Sequence, residues 1–175
     1  SEMCIRDRIR VEAPLIQAQL IETILLNIIN FHTLIATKAS RIRQIAMNDT
    51  LMEFGTRRGQ EIDAGLWGAR AAFIGGFDST SNVRAGKLFD IPVSGTHAHA
   101  LVQTYGEEYT AFKKYAERHK NCVFLVDTFH TLKSGVPTAI KVAKELGDTI
   151  NFIGIRLDSG AVSYTHLTLP TNREV

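Results

Sequence analysis

The residues best suited to chemistry are concentrated between Ile74 and Ala100, IGGFDSTSNVRAGKLFDIPVSGTHAHA. Asp78 follows the pair Gly75-Gly76, and a polar turn, Ser79 to Asn82, leads into a short helix expected over Val83–Phe89. A short apolar strand, Ile91-Pro92-Val93, then delivers Ser94-Gly95-Thr96-His97-Ala98-His99. A histidine just past a strand, behind a glycine and a hydroxyl residue, suits a reactive group held at a strand end. The same pattern suits a hairpin-like corner with two surface histidines, and one short motif does not separate the two. A metal pair is a third reading, since His97 and His99 would share a face on a strand. A zinc site would need two more ligands in register, and no cysteine pair supplies them.

Three further segments end in similar types. Thr50-Leu51-Met52-Glu53-Phe54 reads as a short strand, and Gly55-Thr56-Arg57-Arg58-Gly59-Gln60 leaves it as a basic loop. Glycine at both ends lets backbone amides approach a ligand, and paired arginines can grip an anion. A solvated loop before a helix is the plainer alternative. Cys122 to Val126 is a continuous apolar run, the mark of a strand buried on both sides, and it delivers Asp127-Thr128. Ile150 to Ile155 delivers Arg156-Leu157-Asp158-Ser159-Gly160.

The elements that must hold these groups alternate. Helices are expected from Pro14 to about Ala46, over Ile62–Phe73, over Ala100–Tyr105, within Glu107–Lys120 and over Leu132–Leu146, the last stopped by Gly147. The first is apolar nearly all round, which predicts a buried helix or helix pair. A membrane span is disfavoured by Gln17, Gln19, Glu22, Asn27, Asn30 and His32, and His32 reads as a core or helix-edge histidine. Strands near Leu51, Ile91, Val123 and Phe152 alternating with helices predict a parallel α/β sheet, with its ligand site at the C-terminal ends of the strands. The chain has 175 residues. That suffices for one domain with a sizeable core but not for a full barrel, so an arc of one is expected.

Composition narrows the classes. A formal charge of +2, with scattered basic residues, gives no footprint for nucleic acid. Two cysteines, Cys4 and Cys122, indicate no disulfide framework and predict a reducing, cytoplasmic setting. The chain opens on charges rather than an apolar run, so no secretory leader is expected. Residues 1–8 and 161–175 do not continue the periodicity of their neighbours. They read as non-native tails resembling adapter scars, leaving residues 9–160 as the body.

Five motifs taken in order resemble nicotinate phosphoribosyltransferase: Glu53-Phe54-Gly55-Thr56-Arg57-Arg58, Gly75 to Asn82, Gly95-Thr96-His97-Ala98-His99, Leu125-Val126-Asp127-Thr128 and Arg156-Leu157-Asp158-Ser159-Gly160. The resemblance covers Arg10 to Gly160 and implies an internal piece of a longer enzyme with the partial parallel, TIM-like α/β barrel of type II phosphoribosyltransferases. It implies a reaction joining nicotinate to phosphoribosyl pyrophosphate to give nicotinate mononucleotide and pyrophosphate. ATP hydrolysis would be coupled through a phosphohistidine, Mg²⁺ would be required, and the complete enzyme would be a homodimer without nucleic-acid or membrane partners. By motif match His99 is the phosphorylated residue and Asp158 the second catalytic group. Phe54 would stack on the pyridine ring, Arg57 would bind a phosphate or the nicotinate carboxylate, and Asp78 would lie near the pyridine. Thr96, Asp127 and Arg156 complete the substrate-binding set, and no metal ligand is assigned.

A helix starting near Ala98 would turn His97 and His99 about 200° apart, so that only one faces the site. The chain departs from the family pattern at Phe129-His130, where relatives carry Tyr and an acidic residue, and at Ala161, where the family has an acidic residue that contacts Mg²⁺ or ribose. No function is drawn from His130. The nicotinamide-using sister activity and an inactive fragment are the alternatives; the Gly-Thr-x-Ala-His form of the histidine motif favours nicotinate.

Overall fold

The computed structural model of the protein describes residues 9–159. Both expected tails therefore lie outside the described residues. The chain divides into two compact units, with the boundary between Gly95 and Thr96.

The first unit begins with α1 (Leu15–Ala46), one continuous helix of 32 residues. Its extent matches the periodicity, but its burial does not. Only Ala39 is buried, while Leu15, Ile16 and Leu20 are more than 70% exposed. By length and composition α1 is apolar enough to cross a membrane. The physical reason for the exposure is that, among the described residues, only its C-terminal half packs against another helix, α2 (Ile62–Ile74). His32 meets Trp67 edge-on at 5.6 Å. The approach at the end of α2 is closer still: a Cβ on Gly75 would lie 2.5 Å from the Ala36 carbonyl oxygen. The buried face of α2 is correspondingly small-residued, with Gly65, Ala69, Ala71 and Ala72 beside Leu66.

Two very short strands follow the helices. β1 (Met52–Glu53) pairs in parallel with β2 (Ser79–Thr80), in register Met52 with Ser79 and Glu53 with Thr80. Thr80 in turn forms a parallel bridge to Val93. The expected strand at Ile91–Val93 is thus reduced to one bridge, because Pro92 has no N–H to extend the ladder. The expected polar turn at Ser79-Thr80 is instead a buried central strand. Polar residues are tolerated there because the Thr80 hydroxyl donates to a Glu53 carboxylate oxygen at 2.6 Å. α3 (Val83–Phe89) starts where Asn82 accepts the Ala85 N–H on its side chain.

The second unit packs α4 (His99–Tyr105), α5 (Glu108–Ala116) and α6 (Val136–Leu146) with a parallel pair, β3 (Asn121–Leu125) and β4 (Asn151–Arg156). Its core is Val102, Ala111, Phe112, Cys122, Phe124, Val126, Ala139 and Val142. Phe112 and Phe124 stack at 4.9 Å. The buried apolar run from Cys122 to Val126 is therefore the centre of this unit, as its composition predicts. Between β3 and α6 the chain makes one π-helical turn, Thr131–Gly135. His130 starts it by accepting the Lys133 N–H at Nδ1. The structure is thus a mixed α/β one with small parallel sheets.

Candidate active site

The short, buried strand β3 places Asp127 and Thr128 just past its end, and β4 does the same for Asp158 and Ser159. His99, the first residue of α4, faces both. Its Nδ1 lies 3.0 Å from the Thr128 hydroxyl, and its Nε2 lies 3.6 Å from Asp158 Oδ2 and 3.9 Å from Asp127 Oδ1. The last two are ion-pair distances rather than hydrogen bonds. Asp127 is held firmly. Its Oδ2 accepts the Asp158 N–H at 2.7 Å, the Ser159 N–H at 2.5 Å and the Ser159 hydroxyl at 2.8 Å. Burial raises the pKa of this carboxyl, but the Ser159 and Asp158 amides and the Ser159 hydroxyl more than offset that, and the group lies below the usual carboxylate range. Its Oδ1 is buried without a hydrogen-bond partner and points toward the imidazole.

Arg156 ties the two sides of this cluster together. It donates to the Thr96 hydroxyl at 2.7 Å and to Asp158 Oδ1 at 2.6 Å. Of the residues expected at the site, Thr96, His99, Asp127, Arg156 and Asp158 thus meet within the second unit. Thr128 and Ser159 belong with them. Both stood inside the recognisable motifs, but a hydroxyl three residues past a strand carries no signal of its own. His97 and His99 diverge as the start of α4 requires. His97 is buried under Phe112, Tyr115 and Phe124, with its Nε2 engaged by a backbone amide, so the pair does not share a metal position.

The remaining expected residues lie in the first unit. Arg57 sits exposed on a single 3-10 turn, Thr56–Arg58, and Phe54 is half-buried beside it. The Gly55 amide is already used: it donates to Glu53 Oε1 at 2.5 Å. Asp78 is a joint. Its Oδ2 accepts from Arg43 at 2.5 Å and from the Leu51 N–H at 2.7 Å, and these partners, the amide foremost, hold its carboxyl below the usual range. Arg43 also donates to the Gly76 carbonyl at 2.6 Å. Nothing in the spacing of Arg43 signals this link across more than thirty residues.

Residues 50–168 match the Nicotinate phosphoribosyltransferase (NAPRTase) family, a span that runs past Gly160. The chain is 72% identical over 155 residues to the nicotinate phosphoribosyltransferase of Bacillus subtilis, covering 89% of this chain and 32% of that protein. It is 33% identical to the nicotinate phosphoribosyltransferase of Homo sapiens, covering 87% of this chain and 37% of that one. The chain therefore spans about a third of the length of the curated relatives it matches. Among solved structures, human nicotinic acid phosphoribosyltransferase aligns with a TM-score of 0.71 at 30% identity, over 85% of this chain and 39% of that one. Nicotinate-nucleotide pyrophosphorylase from Pyrococcus furiosus aligns with a TM-score of 0.62 at 33% identity, over 72% of this chain and 32% of that one. A match over most of the chain, with the histidine, aspartate and arginine motifs gathered at adjoining strand ends, makes this protein a member of the nicotinate phosphoribosyltransferase family.

Proposed function

We propose that this chain is part of a cytoplasmic, homodimeric enzyme of NAD salvage, built on a type II phosphoribosyltransferase barrel. It makes nicotinate mononucleotide and pyrophosphate from nicotinate and phosphoribosyl pyrophosphate, with ATP hydrolysis coupled through a phosphohistidine at His99. The observation that carries this reading is the asymmetric surroundings of that imidazole. Nε2 faces two carboxylates, which are acceptors only and so match a ring N–H on that side. Nδ1 faces only the Thr128 hydroxyl, so it is the nitrogen with a lone pair to offer.

In the phosphorylation step Nδ1 attacks the γ-phosphorus of ATP. The N–P bond forms, the bond to the bridging oxygen breaks, and ADP leaves with the electron pair. The Thr128 hydroxyl, which donates to that lone pair at rest, rotates away. The positive charge developing on the ring is offset by Asp127 and Asp158. In the transfer step the ribose C1–O bond to pyrophosphate breaks and the C1–N bond to nicotinate forms; attack of water on the phosphohistidine then breaks the N–P bond, releases inorganic phosphate and restores the imidazole. Asp158 opposes the positive charge on the sugar, while Arg156 and Arg57 meet phosphate or carboxylate anions. Phe54 stacks on the pyridine. The Asp78 oxygen not bonded to Arg43 and Leu51 is the one to face it.

Mg²⁺ suits the same carboxylates. The buried, unpartnered Asp127 Oδ1 and the Asp158 Oδ2 are hard oxygen donors. Mg²⁺ characteristically takes one or two such groups and completes its shell with water and phosphate oxygens. Asp127 and Asp158 would hold it, and it would supply positive charge to the departing phosphates. The test is product analysis with a full-length chain carrying this segment, given labelled nicotinate or nicotinamide, phosphoribosyl pyrophosphate and Mg²⁺, with and without ATP. Nicotinate mononucleotide, formed faster with ATP, is the expected result. Nicotinamide mononucleotide as the main product, or no effect of ATP, would overturn the substrate or the coupling respectively.

A further inference from the structure

His97 is one of only a few polar side chains buried among the described residues, at 7% exposure, and the proposed chemistry does not use it. Its ring lies edge-on to Tyr115 at 4.9 Å and tilted to Phe112 at 5.6 Å. Its Nε2 lies 3.0 Å from the Leu125 backbone N–H, in a buried hydrogen bond. That amide has a particular problem. The next one, Val126 N–H, reaches the carbonyl of Arg156, the last residue of β4, at 3.2 Å. Successive amides of a strand point to opposite edges, so Leu125 N–H faces the edge of β3 away from β4, where no strand pairs among the described residues. A buried amide left unpaired is costly. The imidazole takes the place of the missing strand.

Accepting an N–H fixes the chemical state of the ring. Nε2 must hold a lone pair, so the proton sits on Nδ1, which is 3.5 Å from the Ala98 carbonyl. A protonated ring would set N–H against N–H. The contact also has a place in the site. His97 joins the segment holding Thr96 and His99 to the strand end holding Asp127 and Thr128, and His99 makes a second, parallel link between the same two segments. We propose that His97 is a positioning residue for His99: a neutral imidazole that accepts the Leu125 amide and so sets the distance from His99 to Thr128 and Asp127. What His99 does once positioned rests on the reading above; the link itself does not.

The test uses a full-length chain carrying this segment, with histidine ring nitrogens labelled with ¹⁵N. At neutral pH His97 should show a protonated Nδ1 and a pyridine-type Nε2, with scalar coupling from the Leu125 amide to Nε2. An Nε2–H or doubly protonated ring would overturn the proposal. Three substitutions then separate position from bulk. Gln reaches the Nε2 place with an acceptor oxygen, Asn reaches only the Nδ1 place, and Phe keeps a ring without an acceptor. His97→Gln should keep the rate of phosphoenzyme formation within about threefold, while His97→Asn and His97→Phe slow it by about tenfold or more, with KM for ATP little changed. The His99 ring-nitrogen shifts should move in His97→Asn and His97→Phe but not in His97→Gln. That readout decides the matter even if the unsubstituted chain forms no phosphoenzyme, an outcome that would count against the phosphohistidine alone. Unmoved His99 shifts in both acceptor-lacking variants would overturn the positioning role. So would a Gln variant as impaired as the Asn one.

Discussion

Gly135→Ala should damage the site without touching any group in it. Gly135 closes the π-helical turn, donating its N–H to the His130 carbonyl at 3.0 Å. A Cβ there would lie 1.9 Å from the Val126 carbonyl oxygen and 2.8 Å from its carbon. Ordinary contact begins near 3.4 Å, so the turn and the strand must separate by about 1.5 Å, the difference between 3.4 and 1.9. The obstacle is backbone at the end of a buried strand, not the tip of a flexible side chain. Overpacking of this kind costs about 1–3 kcal/mol, and the rigid partner argues for the upper part of that range. Val126 precedes Asp127, so the displacement passes directly to the carboxylate and hydroxyl that flank His99. A misplacement on the order of 1 Å can lower a rate by about a hundredfold. Denaturant midpoints and phosphoenzyme formation, measured on the same full-length protein, give both effects. A variant with an unchanged midpoint and an unchanged rate would refute the claim that this close approach holds the strand end in place.

Other perturbations are simpler to read. Arg57→Ala should weaken binding of an anionic substrate by about 1.5–3 kcal/mol, the worth of a charge-assisted hydrogen bond; unchanged KM for both nicotinate and phosphoribosyl pyrophosphate would remove Arg57 from the site. Acid should destabilise the fold through His97. Burial, foremost, lowers its pKa below the ordinary 6.5, with His99 and Arg156 acting in the same sense. The unfolded chain then binds a proton that the folded chain refuses. The contribution of His97 is complete above 6.5 and is lost as pH falls through the folded value, at up to about 1.4 kcal/mol per pH unit. Asp127 adds the same sense of change below its ordinary 3.8. Urea midpoints from pH 7 to pH 5 should fall less steeply in His97→Gln than in the unsubstituted chain; equal slopes would contradict this.

The helices and the buried strands were legible because their signals are local. The periodicity from Leu15, the run from Cys122 to Val126 and the short helix expected at Val83 each declare an element within a few residues. What the pattern could not supply was the partner. The apolar residues of α1 read as buried, yet only its second half meets α2. Ser79-Thr80 read as a turn because its polarity is local, whereas its burial depends on Glu53, far away in the chain. The same division holds at the site. His99, Asp127, Arg156 and Asp158 were found through motifs placed at strand ends. The roles of Thr128, Arg43 and Gly135 arise only from distances across the fold. His97 shows the limit most clearly, since its neighbour in the motif and its neighbour in space, Leu125, have nothing in common in sequence.

The central claim is that His99 takes the phosphoryl group. The direct measurement is labelling of a full-length chain with γ-phosphate-labelled ATP, followed by an acid-lability test and mapping of the labelled peptide. The unsubstituted protein should carry an acid-labile phosphoryl group on His99. His99→Asn keeps a neutral polar side chain and should abolish both the label and the effect of ATP, while slow ATP-independent transfer remains. Label persisting in His99→Asn, or mapped in the unsubstituted chain to any other residue, would contradict the account.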